Sequence, residues 1–280
     1  MIIDGKFIAE EIESKVATAL LTLSAPPALA IVAIGANPVI ASFVRIKKTV
    51  AERLKIPVVE RFFPDTISSE NLKAQIILLA QDPQIGGIIV QLPLPPHFDT
   101  RQILDSIPVS KDVDMLARSS VALFAKGEAA ILPPVAGAIQ EILEREKISL
   151  AGCEALVLGY GRLVGIPASI FLRHNDAHVT VIDREVPDLA THTREAKLIV
   201  SGVGKPGLIT PSMLSPGVVL IDAGTSEAGG KIIGDADPAC AKVASIFTPV
   251  PGGVGPIAVA MIFKNLVMLA RVAKGVAPHV

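Results

Sequence analysis

Leu156-Val157-Leu158-Gly159-Tyr160-Gly161-Arg162-Leu163-Val164-Gly165 is an apolar run that breaks on closely spaced glycines and then resumes. That order reads as a buried strand, a tight turn and the start of a helix. Glycine admits the turn and lets backbone N–H groups approach an anion, whose charge a helix N-terminus favours. The spacing G-x-G-x-x-x-G is close to a dinucleotide fingerprint, yet turns after strands are glycine-rich in any case, so alone it is weak. Support comes from the next apolar run, Val179-Thr180-Val181-Ile182, which ends in Asp183, 24 positions after Gly159. An acid ~20 residues on is where the adenine ribose hydroxyls are held. Gly159, Gly161, Gly165 and Asp183, with Tyr160 and Arg162 in the turn, are therefore candidate cofactor-binding residues. The plain alternative for Asp183 is a solvated acid at a strand end.

Outward from this turn, strand patterns at 154–158, 177–182, 197–201 and 218–222 alternate with helical or turn segments, and a helical stretch at 136–147 precedes them. Two more of these strands stop at glycine loops, Val203-Gly204-Lys205-Pro206-Gly207 and Ala223-Gly224-Thr225. Ligands of doubly wound sheets lie outside the carboxyl ends of the strands, which adds Gly204 and Thr225 to the candidates. A similar alternation stands upstream. A helix of period three to four over 5–23 leads to the apolar strand Ala28–Ile34, a helix from Pro38 to Leu54, a strand at Val58-Val59, a helix capped near Ser68 or Ser69, and the run Ile88-Ile89-Val90. Between the two series, 92–134 is cut by six prolines and reads as loop-rich. After the Pro/Gly loop 249–256, residues 257–273 form an apolar helix expected to return to the first series. The fold class is α/β in two domains. One is a Rossmann-type doubly wound domain over 118–256, and the other an N-terminal α/β domain over 1–117 completed by 257–280.

Composition narrows the function. Of 280 residues, 26 are Lys or Arg and 27 Asp or Glu, a formal charge of −1 that leaves no basic excess for nucleic acid. Hydrophobic residues at 50% against 19% charged predict a large buried core. The longest apolar stretches are interrupted by Asp82-Pro83, Gly252-Gly253 or Lys264, so no membrane span is expected, and the first residues lack the pattern of a secretory signal. Only Cys153 and Cys240 occur and the five histidines are scattered, which predicts a reducing, cytoplasmic setting and no metal site.

Several longer segments carry more specific information. Val90-Gln91-Leu92-Pro93-Leu94-Pro95, Lys111-Asp112-Val113-Asp114, Val203-Gly204-Lys205-Pro206-Gly207 and Thr248-Pro249-Val250-Pro251-Gly252-Gly253-Val254-Gly255-Pro256 resemble, in order, motifs of the bifunctional methylenetetrahydrofolate dehydrogenase/methenyltetrahydrofolate cyclohydrolase family. The resemblance implies a folate-binding catalytic domain built from both chain ends, NAD or NADP as cofactor, tetrahydrofolate derivatives as substrates, and a homodimer. It places the family's catalytic lysine on Lys47, the glutamine that holds it on Gln91, and the pterin-binding aspartate on Asp114. Pro251, Gly252, Gly253 and Ala258 would face folate. Read without the resemblance, Lys47 is a solvated charge beside Lys48, Gln91 a strand-end residue and Asp114 a loop acid.

Departures from the motifs accompany the matches. The family's tyrosine four positions before the lysine is Phe43, which shares a helix face with Lys47. Met115 replaces the glycine after K-D-V-D, Leu132-Pro133-Pro134-Val135 replaces P-C-T-P, and Ala258 replaces a threonine. In the dinucleotide turn, Tyr160 and Gly161 stand where the family has arginine and serine, with Arg162 and Arg184 as nearby cations. Because several losses fall on the folate side, the alternative to an active enzyme is a folate- or dinucleotide-binding paralogue with reduced or lost catalysis. Asp183 and the replaced arginine favour NAD over NADP.

Overall fold

A computed structural model describes residues 1–35, 37–183, 186–228 and 231–275; Arg184 lies outside the described residues. The chain divides into two compact units, residues 11–134 with 259–280 and residues 1–10 with 135–258. The sequence places boundaries at 117/118 and 256/257; this division falls at 134/135 and 258/259 and assigns the first ten residues to the second unit.

In the first unit, a parallel three-stranded sheet has the order β2-β1-β3, from β1 (Ala28–Ile34), β2 (Val58–Phe63) and β3 (Ile85–Val90). All seven residues of β1 are buried, as expected of a central strand covered on both faces. The helix α1 (Gly5–Leu20) precedes β1, and α2 (Pro38–Leu54) and α3 (Ser69–Gln81) separate the strands. Pro38 opens α2 at a position where its missing N–H costs nothing, and the Ser68 side chain caps α3 by accepting from the Asn71 N–H. Arg53 of α2 donates to both carboxyl oxygens of the buried Glu13 on α1 at 2.7–3.0 Å, tying the two helices.

The proline-interrupted segment 92–134 is more ordered than its composition predicts. It holds α4 (Thr100–Leu104), capped by Asp99, and α5 (Arg118–Ala125). Both are too short to show a helical period in the sequence. The C-terminal helix α9 (Val254–Ala273) begins three residues before the expected 257 because Gly255 and Pro256 fit a first turn. From Val259 onward it belongs to this first unit. A Cβ on Gly86 of β3 would come within 2.4 Å of Pro27 and 3.2 Å of Leu266, and one on Gly87 within 2.5 Å of Val113 and 2.8 Å of Leu266, so this glycine pair makes room for Pro27 and Val113 as well as for α9. The side-chain amide of Asn265 donates to the carbonyls of Val113 at 2.9 Å and Leu132 at 2.8 Å. By length and composition α9 does reach the requirement for a membrane span, which corrects the expectation that Lys264 interrupts it; half of its spanning window is buried. Ile257, Phe263, Leu266 and Val267 are fully buried, the pattern of a core helix.

In the second unit, α6 (Pro134–Arg145) leads into a five-stranded parallel sheet of order β10-β7-β6-β4-β5. Its strands are β4 (Glu154–Leu158), β5 (His178–Ile182), β6 (Leu198–Ser201), β7 (Val219–Asp222) and the two-residue β10 (Ile246–Phe247), which no periodicity could announce. The helices α7 (Gly165–His174) and α8 (Leu189–Glu195) lie between the first three, and a hairpin of β8 (Ser226–Ala228) and β9 (Lys231–Ile233) follows β7. Strand direction of growth reverses between β4 and β6, the switch point where such sheets bind ligands. Ile2 pairs in parallel with Phe247, and the N–H groups of Ile3 and Gly5 donate to Phe247 and Gly252 at 2.9 Å, which explains why the first residues belong to this unit.

Candidate active site

In the first unit, Lys47 lies on α2 and Gln91 immediately follows β3. Each is 7% exposed, and the lysine Nζ donates to the glutamine Oε1 at 3.0 Å. Forty-four residues separate them in sequence; the crossover of β1-α2-β2 and the pairing of β1 with β3 bring them together. Burial lowers the lysine pKa, and Asp114 opposes that shift through its charge. A neutral acceptor leaves the amine close to the form that exchanges a proton. Phe43, half-buried one helical turn earlier, supplies a ring face and no hydroxyl.

Asp114 follows a 3-10 turn over Val109–Lys111. Burial pushes its carboxyl up to about 6, with Asp112 adding to the rise and Lys47 opposing it. The neighbouring Asp112 is fully buried and structural: it accepts the N–H groups of Leu116 and Ala117 at 3.3 and 2.9 Å and so fixes the loop that presents Asp114. Met115 occupies the left-handed region with φ +57, which explains why glycine suits this position. The conformation costs a side chain about 1–2 kcal/mol. Met115 is only 2% exposed, and burying a side chain of its size is worth ~1.5–3 kcal/mol, which offsets the strain.

In the second unit, the turn after β4 is built on main chain packed against main chain. Gly159 has φ +83, and a Cβ there would lie 2.9 Å from the Gly202 carbonyl oxygen. At Gly165 a Cβ would lie 2.0 Å from the Gly159 oxygen, and at Gly202 one would lie 2.4 Å from the Val164 side chain. Only glycine fits at these three places. No side chain caps the start of α7; the Ile166 N–H is taken by the Gly161 carbonyl at 3.0 Å and Pro167 has none, which leaves the Gly165 N–H to face an anion. Asp183 accepts the Tyr160 N–H at 2.7 Å, which joins the strand-end acid to the turn. Tyr160, Gly161 and Arg162 are exposed around it. Gly204, with φ +77, has its carbonyl bonded by the Ser226 hydroxyl at 2.6 Å, next to Thr225. The cradle and the open helix end fit a dinucleotide pyrophosphate.

Pro251, Gly252 and Gly253 form a turn before α9 in which the Gly253 N–H donates to Pro249 at 2.7 Å, and Ala258 is half-buried on α9. Sequence reasoning missed two fully buried acids. Asp235 accepts from Ser201 Oγ and from the N–H groups of Val203 and Lys205, while Asp222 accepts from the N–H groups of Gly224 and Ala236. Their partners lie up to 34 residues away, at no regular spacing.

A doubly wound sheet with a glycine cradle at its switch point, joined in one chain to an α/β unit holding a buried lysine, defines a nicotinamide-dependent oxidoreductase class. Residues 3–114 match the tetrahydrofolate dehydrogenase/cyclohydrolase catalytic domain, and residues 133–274 match that family's NAD(P)-binding domain. The chain is 38% identical over 279 residues to the bifunctional protein FolD of Bordetella petrii, covering 98% of this chain and 95% of that protein. The crystal structure of the bifunctional FolD methylenetetrahydrofolate dehydrogenase/cyclohydrolase from Campylobacter jejuni superposes with a TM-score of 0.93 at 33% identity, covering 98% of this chain and 99% of that one. The Trypanosoma brucei enzyme, complexed with NADP and an inhibitor, gives 0.91 at 30% identity over 98% of each chain. This chain belongs to the tetrahydrofolate dehydrogenase/cyclohydrolase family.

Proposed function

We infer that this chain oxidises methylene-tetrahydrofolate to methenyl-tetrahydrofolate with a nicotinamide cofactor and hydrolyses the product to formyl-tetrahydrofolate, two steps of one-carbon metabolism. The observation that carries the reading is the buried Lys47 held by Gln91. When bound, the nicotinamide dinucleotide accepts the hydride. Removing hydride from a carbon between two folate nitrogens leaves a cation that those nitrogens stabilise, so the protein's task in that step is positioning. Hydrolysis of the cation requires a water to lose a proton. Lys47, its charged form disfavoured by burial, is the group that takes up and returns protons there, and Gln91 fixes where its amine points.

Asp114 receives the donor edge of the pterin, Phe43 offers a stacking face, and Pro251, Gly252, Gly253 and Ala258 shape the folate contact. The dinucleotide is assigned to Gly159, Tyr160, Gly161, Arg162, Gly165 and Asp183, with Gly204 and Thr225 on the neighbouring loops. The catalytic folate domain is assigned to residues 1–117 with 257–280 and the dinucleotide-binding domain to 118–256. A homodimer and a cytoplasmic location complete the proposal, together with neither nucleic acid nor membrane as partner. The two free cysteines, the balanced charge and the buried half of α9 support that setting. An absorbance assay with both cofactors, following reduced nicotinamide and methenyl-folate together, tests the activity. Folate binding with turnover no faster than buffer would favour the non-catalytic alternative.

Two results are expected at the substrate and cofactor ends. Asp114→Ala weakens folate binding by about 1.5–3 kcal/mol, the value of a charge-assisted hydrogen bond. A carboxyl raised to about 6 is the full acceptor only above that pH, so wild-type folate affinity falls as pH drops through 6 and the variant's does not. For stability the sign is opposite: an acid whose pKa rises on folding costs stability that sets in above its unfolded pKa and is complete above about 6, so removing it leaves the melting temperature at pH 8 no lower than that of the wild type. Calorimetric titration at pH 5 and 8 checks the affinity and a thermal melt at pH 8 checks the stability; equal pH dependence of affinity in the two proteins would remove Asp114 from the folate site.

At the other end, the carboxylate of Asp183, already fixed on the Tyr160 N–H, accepts free ribose hydroxyls and repels a 2′-phosphate. NAD is therefore the preferred cofactor, and Asp183→Ser shifts kcat/KM toward NADP about five- to tenfold, a size suited to an exposed charge. A wild-type preference for NADP would show that Arg162 or a neighbouring cation outweighs the acid.

A further inference from the structure

The end of the five-stranded sheet contains two buried acids that the reaction does not consume. Ser201 and Asp222 are register partners at the carboxyl ends of β6 and β7, and both are buried. Beyond them the chain makes three loops, 202–207, 223–225 and 234–237. Asp235, fully buried in the third, reaches into the first, with Oδ2 accepting from Ser201 Oγ at 2.6 Å and from the Val203 N–H at 2.8 Å, while Oδ1 accepts from the Lys205 N–H at 2.7 Å. It also lies against the second loop, since a Cβ on Gly224 would meet the Asp235 carboxyl at 2.2 Å. Asp222 completes the lacing by accepting from Gly224 at 2.9 Å and from Ala236 at 2.8 Å.

The geometry of the first loop depends on these bonds. Val203 is 44% exposed and Gly204 is in the left-handed region, so few apolar contacts hold the loop in place. Its N–H groups at 203 and 205 instead converge on one carboxylate, and its carbonyl at 204 is taken by Ser226. The same loop starts at Gly202, whose carbonyl packs against Gly159 of the dinucleotide turn and whose Cα faces the Val164 side chain. An error in the position of loop 202–205 is thus passed directly to the cradle.

We propose that Asp235 is a positioning residue for the nicotinamide dinucleotide, acting through loop 202–205 rather than by touching the cofactor. The inference rests on the reading that the dinucleotide lies at the β4/β6 switch point. A main-chain N–H has a fixed direction, so two of them meeting one buried carboxylate define the loop more tightly than a side-chain contact would. An amide at position 235 keeps the shape and loses one acceptor, leaving either a hydroxyl and an N–H or the Lys205 N–H facing an NH2 group.

The test is Asp235→Asn in the full-length enzyme, assayed for both activities. The expected result is a KM for the preferred nicotinamide cofactor raised about tenfold or more, the size of one charge-assisted hydrogen bond, with kcat at saturating cofactor within about threefold and cofactor-independent methenyl-folate hydrolysis unchanged. Ser201→Ala, which keeps both main-chain bonds, changes the cofactor KM by less than the amide variant does. A cofactor KM for Asp235→Asn within twofold of wild type, or equal losses in hydrolysis and dehydrogenation, would overturn the proposal. Should the variant fail to fold, amide exchange in the cofactor-free wild type decides: protection of the Val203 and Lys205 N–H groups supports the anchor, and exchange as fast as in an open loop rejects it. A wild type that binds neither NAD nor NADP would instead refute the underlying functional reading.

Discussion

Lys47→Met lowers methenyl-tetrahydrofolate hydrolysis by about 10²–10⁴-fold, the usual contribution of one acid/base group, and leaves NAD(P) affinity at the wild-type value. Methionine retains the apolar stem of lysine, so packing on α2 changes little and the missing amine is the change that matters. Two stability effects oppose each other. Removing an amine whose pKa burial has lowered relieves a desolvation cost that is present below the unfolded lysine pKa and fades as pH rises toward it. Against that, the buried Gln91 carbonyl loses its donor, which costs about 1–3 kcal/mol. The melting temperature is therefore expected to move little while activity collapses. Separate assays of hydrolysis and hydride transfer check the result, because the same amine also helps place the folate. Hydrolysis unchanged in the variant would remove Lys47 from the mechanism.

Gly165→Ala is expected to have the mirror-image effect, reducing dinucleotide affinity by at least about 10²-fold while methenyl-folate hydrolysis persists. The new methyl group would stand 2.0 Å from the Gly159 carbonyl oxygen and 2.8 Å from the Tyr160 Cα, both main-chain atoms that cannot rotate away. Overpacking of this kind costs about 1–3 kcal/mol or more, and here relief comes by pulling the first turn of α7 off the glycine turn. That displacement moves the Gly165 N–H, the one in the first turn of α7 left to an anion. Fluorescence titration with NAD and NADP measures the loss, and surviving hydrolysis reports that the first unit is folded. Near-wild-type affinity would mean that the pyrophosphate is held elsewhere.

How far these sites were legible from sequence follows from the physical signal each one leaves. The burial of β1 on both faces is written as an unbroken apolar run, and the Pro38 start of α2 as a proline before an amphipathic period, so both elements were read with their bounds. Asp183 was legible as a strand-end acid, though its bond to the Tyr160 N–H was not. The Lys47–Gln91 contact spans 44 residues and has no period, so only the family resemblance pointed to it. Asp235 fell outside every pattern: its three partners are a hydroxyl and two main-chain groups, and a main-chain donor has no residue-type signature. Short α4 and α5 were hidden for a different reason, since each has only two buried residues, too few to repeat, and α5 has no side-chain cap.

The division of the chain has a consequence for how the protein is made. Passing along the sequence, the polypeptide leaves one compact unit for the other after residues 10, 134 and 258, so neither unit is a contiguous segment. As the chain emerges during synthesis, the three-stranded sheet forms long before Leu266 and Asn265 of α9 are available to cover Gly86 and Gly87 and to bond the Val113 and Leu132 carbonyls. Until the last helix arrives that apolar surface stays open, and incompletely covered sheets of this kind are the species that aggregate. Residues 11–134 expressed alone would remain in that unfinished state, and the α9 segment 259–273 added in trans would be what completes it.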